Sequence, residues 1–166
     1  MMKSSTARRE KQEGPRRIEE KWSRELIDAG WLAIPNIIVE KQLDLGLDST
    51  DINILLHLIR YWWNRDNLPH PSKRTIAQCM GVDMSTVRRH IARMEKKGLI
   101  KRIERHDEAR GQKTNYYDFT GLINAALPLA KEAVAIRDRR QKEDDQRRSR
   151  KRAPLSVVTP SEDSGS

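Results

Sequence analysis

Cysteine occurs once in the 166 residues, at Cys79. A single thiol can neither close a disulfide within the chain nor build a thiolate zinc site, and a reducing interior suits it. Long apolar runs are also missing. Nothing approaches the roughly 20 apolar residues of a membrane span, and Met1 to Arg17 contains no apolar stretch of the signal-peptide kind. The chain has no P-loop, no paired-carboxylate motif and no Ser-His-Asp arrangement. Its four histidines, His57, His70, His90 and His106, are scattered one per segment, which argues against a metal centre. No catalytic residue, cofactor or metal is therefore expected, and Cys79 reads as a small buried residue rather than a nucleophile.

Charge is what the chain has in quantity. Charged residues make up 34% against 36% hydrophobic, with a formal net charge of +9. Such a balance favours a polyanionic partner, because each Lys or Arg meeting a phosphate releases a condensed counterion. The length suits one domain with tails. Residues 1–14 read as a disordered arm, 15–136 as the folded domain with flanking helices, and 137–166 as a basic helix end and a disordered tail.

Within the domain, Ile18, Trp22 and Leu26 recur at four-residue spacing ahead of Gly30, as in an amphipathic helix. Trp31 to Val39 is a β-branched run broken by Pro35 and reads as an edge strand or extended segment. Asp48 can cap a helix reaching about Trp63, with Asp51 three residues on and Leu47 stapled to Ile52. Its expected core stripe is Ile52, Leu55, Leu56 and Ile59. Of Trp62 and Trp63, at least one should be core, and Trp31 likewise.

Two short helices follow. Ser72 can cap the first and Gly81 close it, with Thr75, Ile76, Ala77 and Met80 inward. Asp83 can cap the second, Met84 to Lys97, with Val87, Ile91 and Met94 inward and His90 at the core edge. Leu99 to His106 and Gln112 to Phe119 flank a turn-prone DEARG segment, as in a β-hairpin. A helical pattern resumes after Thr120, where Pro128 opens a second helix or kinks one long helix.

This order, with the local sequence PSKRTIAQCMGVDMSTVRRHIARMEKKGLIKRIER, resembles the winged helix-turn-helix family. More narrowly it resembles the modules of phage and plasmid replication initiators and of small bacterial transcription regulators. The fold expected is mainly α with a small β-hairpin and flanking N- and C-terminal helices. The missing motifs and apolar spans lead to the expectation of a non-enzymatic, cytoplasmic protein, nucleoid-associated when bound, and the resemblance implies double-stranded DNA as its partner.

Between Met84 and Lys113 there are ten basic residues against four acidic. Ser85, Thr86, Arg88 and Arg89, near the start of the second helix, are the candidates for base-edge contact, and Arg93, Lys96 and Lys97 for phosphates. The resemblance assigns a wing role to Arg105, Arg110 and Lys113, although Asp107 and Glu108 would repel phosphate at the wing tip. A repressor acting at a promoter or operator is the leading expectation. The alternatives are a replication initiator at an origin and a protein-interaction or RNA-binding module. The flanking helices offer a homodimer surface, and a replication or transcription protein is a further possible partner. The RRSRKR run at Arg147 to Arg152 reads as a nonspecific DNA-binding tail, as a nuclear localisation signal in a eukaryotic setting, or as a solvated helix end.

Overall fold

The computed structural model describes residues 18–107 and 111–152, and the remainder of the expected arm, wing tip and tail lies outside them. The described residues as far as Ala126 pack as one unit, and those from Leu127 form a second. The first unit is mainly helical with a small β-hairpin. Residues 18–22 are helical, followed by α1 (Arg24–Asp28) and α2 (Asn36–Glu40). The long helix α3 (Ser49–Ile59) precedes the pair α4 (Lys73–Met80) and α5 (Met84–Lys96). Strand β1 (Lys101–Ile103) pairs antiparallel with β4 (Tyr116–Asp118), and β2 (His106–Asp107) with β3 (Gly111–Gln112). The chain ends its described part in α6 (Thr120–Arg152).

The caps form as the local chemistry dictates. Asp48 and Asp51 make a reciprocal capping box at α3, with Asp51 N donating to Asp48 Oδ1 at 2.8 Å and Asp48 N to Asp51 Oδ2 at 3.1 Å. Ser72 Oγ accepts from Thr75 N at 3.0 Å, and Asp83 Oδ1 from Ser85 N at 2.6 Å. Between α4 and α5, Gly81 takes the left-handed conformation, φ 66°, that a side chain would strain. Ala77, nearly buried, accepts from Val82 N at 3.1 Å, so the turn is closed tightly.

The core gathers Ile54, Leu55 and Leu58 of α3, Ile76 and Ala77 of α4, and Val87, Ile91 and Met94 of α5. Leu99, Ile100, Tyr117 and Phe119 close it from the hairpin, and Leu122 and Ala126 from the first turns of α6. The inward face of α5 is the one its periodicity predicts. Trp62 is half-buried, its ring centroid 5.1 Å from that of the buried Phe119, so it packs at the core's edge, while Trp63 is exposed; neither tryptophan of the pair is fully core.

Several expectations are corrected. Pro35 does not interrupt a strand but stands at the N-cap position of α2, without a capping side-chain bond; its fixed φ suits a helix entry, where its missing N–H costs nothing. The amphipathic helix before Gly30 is broken at Ser23, whose φ is 71°, and Trp22 and Leu26 are exposed. Trp31, at 52% exposure, is not core. The α3 stripe is shifted by one residue: Ile52, Leu56 and Ile59 are only half-buried, and α3 ends at Ile59 rather than Trp63. On α4, Thr75 faces outward and bonds Ser72 Oγ, and Cys79 is exposed. Of the two readings of Pro128, a new helix is not found: one long helix, α6, contains it.

Candidate nucleic-acid interface

Turning successive residues of α5 by 100° separates its faces. Val87, His90, Ile91 and Met94 are buried, whereas Ser85, Arg88, Arg89, Ala92 and Lys96 are exposed. Three expected contact cations, Arg88, Arg89 and Lys96, thus share one solvent-facing side with Ser85. Thr86 is half-buried at the edge of that side.

Arg93 sits elsewhere. Its Nη2 donates to Asp48 Oδ2 and Asp51 Oδ2, and His90 Nδ1 lies 2.8 Å from Asp51 Oδ1. A hydrogen bond to that carboxylate requires the proton on Nδ1. Asp51 is fully buried, so this group is the polar seam between α3 and α5. Burial pushes the Asp48 carboxyl upward, but the hydrogen bonds from Arg93 and Asp51 N outweigh it and hold it below its ordinary range. Asp48, Asp51 and His90 bring their ligand atoms close enough for a metal. The Arg93 guanidinium already supplies the positive charge to both carboxylates. Lys97 likewise turns toward the segment before α3, its Nζ donating to Gly46 O.

On the hairpin side, Arg102 Nε donates to Glu95 Oε2 at 2.7 Å and Arg102 N to Glu95 Oε1 at 3.2 Å. The Arg102 hydrogen bonds lower the Glu95 carboxyl, and the pair removes from α5 the one anion of its second half. Lys73, at the start of α4, is lowered by burial and by the nearby charges of Arg102 and Arg88. Sequence reading missed Lys73. Its signal was the basic Lys73-Arg74 pair directly after the Ser72 cap, where helix N–H groups favour a phosphate.

The wing keeps two of its three expected residues within view. Arg105 stacks on Tyr116 with its guanidinium carbon 4.4 Å from the ring centre, and Lys113 is exposed, its N–H donating to Arg105 O at 3.0 Å. Arg110 and Glu108 lie outside the described residues.

Also unanticipated is Gly121 in the first turn of α6. A Cβ there would stand 1.8 Å from Gly98 O and 3.1 Å from Leu99 O. The backbone after α5 therefore runs directly against α6, and Leu122 N donates to Leu99 O at 2.7 Å.

Residues 45–100 match the family model described as a helix-turn-helix domain. That stretch spans α3 to the start of the hairpin. Together with β1 and β4 it defines the class by fold: residues 45–119 form a helix-turn-helix followed by a β-hairpin, the winged helix-turn-helix arrangement.

Among solved structures, the chain is similar to the N-terminal domain of DnaD protein from Geobacillus kaustophilus HTA426. The TM-score is 0.51 at 20% identity, over 69% of this chain and 93% of that one. The transcriptional regulator PA3341 gives a TM-score of 0.37 at 25% identity, over 64% of this chain and 69% of that one. A possible transcriptional regulator from Methanosarcina mazei Go1 gives 0.39 at 16%, over 65% and 85%. No curated protein matches the sequence significantly. No described helix is long and apolar enough to cross a membrane.

Proposed function

We propose that the protein is a sequence-specific duplex-DNA-binding regulator, not an enzyme, that lays the exposed side of α5 in the major groove. The carrying observation is the division of labour among the cations of α5. Arg93 and Lys97 are turned onto residues 46–51, while Arg88, Arg89 and Lys96 face solvent beside Ser85. An arginine near the start of such a helix can bond guanine bidentately. Lys96, about two turns beyond, suits the phosphate backbone. In this reading Arg93 and Lys97 hold the helix rather than the DNA, and Lys73, Arg105 and Lys113 flank it. Occupying a promoter or operator would make the protein a repressor. Occupying repeated sites at an origin would instead make it a replication initiator.

A second copy is the proposed partner of the N-terminal flank. Trp22, Leu26, Trp31 and Leu32, with Tyr61 and Trp63, are between 40% and 69% exposed, and the first four line one groove. Aromatic side chains offer about 150–250 Å² each. Half-exposure of the four aromatics leaves on the order of 400 Å², to which Leu26 and Leu32 add, against the roughly 800 Å² per partner of a standard interface.

Selection of bound fragments from random DNA tests both points. A preferred site is expected, and a palindrome would report the dimer. Arg89→Ala should relax base preference by about 1–3 kcal/mol at one position. Lys96→Ala should weaken all sequences alike and flatten the salt dependence by roughly one ion. Duplex binding no tighter than that of an unrelated protein of equal charge would sink the proposal.

A further inference from the structure

From Leu127 onward α6 forms a unit of its own. Past Ile136 it contains no apolar residue: 137–152 holds nine cations, four anions, two glutamines and a serine. All of residues 137–150 are exposed. A helix without an apolar side has nothing to bury against a protein core or in a lipid interface.

The charges are not evenly mixed along it. The four anions, Asp138, Glu143, Asp144 and Asp145, all precede residue 146, and five of the six residues from Arg147 to Arg152 are cations. In the first stretch the sequence sets acid four residues ahead of base at Asp138 and Lys142, Glu143 and Arg147, and Asp144 and Arg148. That order supports a helix. In the second, Arg147 and Lys151, and Arg148 and Arg152, put like charges at the same spacing, which weakens it. The helix dipole favours a cation in the last turn alone and does not account for five cations in six positions. A polyanion lying along this end removes the self-repulsion.

We propose that the end of α6, from Arg147, is a second, sequence-independent phosphate-binding element that engages the duplex backbone apart from α5. It rests on the reading of α5 only in taking duplex DNA as the polyanion.

The test is the salt dependence of affinity for a duplex, measured on the full chain. The triple substitution Arg147→Gln, Arg148→Gln and Arg150→Gln should flatten the slope of log affinity against log salt by about 2–3. The preference for the selected site over random DNA should be unchanged. The corresponding triple lysine variant should keep the wild-type slope, since it keeps the charge.

A glutamine variant with the wild-type slope overturns the proposal and leaves the run to an acidic protein or an anionic surface. A lysine variant that loses as much as the glutamine one also overturns it, because the loss is then not one of charge. If the wild type shows no site preference while the glutamine variant still flattens the slope, the α5 reading fails and this one stands.

Discussion

Gly121→Ala sets two well-known effects against each other. By helix propensity alone, alanine in place of glycine inside a helix stabilises by roughly 1 kcal/mol. The structure reverses the sign. The new methyl would stand 1.8 Å from Gly98 O, and relieving that overlap requires the two backbones to separate by more than an ångström. Separation breaks the 2.7 Å bond from Leu122 N to Leu99 O, worth about 0.5–1.5 kcal/mol. It also loosens Leu122, Leu99 and Phe119, all buried at this seam, where overpacking typically costs about 1–3 kcal/mol. After subtracting the propensity gain, the net destabilisation is about 0.5–3.5 kcal/mol. In a domain of this size each kcal/mol lowers Tm by roughly 4–8 °C. Urea and thermal unfolding followed by circular dichroism would measure it. A Gly121→Ala variant as stable as the wild type, or more so, would refute the close approach of α6 to the end of α5.

The seam between α3 and α5 makes further expectations. Asp51→Ala leaves His90 and Arg93 without a buried carboxylate and removes half of the α3 capping box. Losing one partner of a buried pair costs about 3–5 kcal/mol. The lower end is expected here because Asp48 and solvent still reach Arg93, and urea unfolding reads the difference. The pH dependence follows from Asp48 and Glu95, whose carboxyls are held below their ordinary values. A carboxyl with a lowered folded-state value contributes stability that is complete above its unfolded value, about 3.9–4.3, and lost as pH falls through the folded one. Burial, with Arg60 nearby, also holds the His57 imidazole below its ordinary value, so the unfolded chain protonates first there; the urea midpoint should therefore decline slightly from pH 7 to about 5 and fall more steeply below about 4. A midpoint that rises on acidification would contradict both ion pairs.

Much of the fold was legible because its signals are local. Ser72, Gly81 and Asp83 each act within three or four residues, so the two helices and the turn between them follow from sequence, as does the outward side of α5. Tertiary features were not. The α3 stripe was read one residue off because apolar periodicity passes over Asp51, and only the partners His90 and Arg93, some forty residues away, make a carboxylate stable there. Gly121 carries no sequence mark of its contact with Gly98. Ile37, Ile38 and Val39 satisfy a short strand and a short helix equally well, and Pro35 decides between them once it is seen at the N-cap position.

The same distinction bears on the candidate interface. On a helical wheel Arg93 falls at the edge of the exposed side of α5, and charge alone makes it a phosphate contact equal to Lys96. What separates them is the partner across the seam. Burying Asp51 without a cation would cost several kcal/mol, so the guanidinium is committed to the fold before any DNA arrives. Arg89, on the exposed side of α5 and without such a partner among the described residues, keeps its five donors for a ligand. In the proposed reading the candidate for base contact is thus the arginine of which the fold asks nothing, and Arg93 drops out of the charge count of the proposed interface.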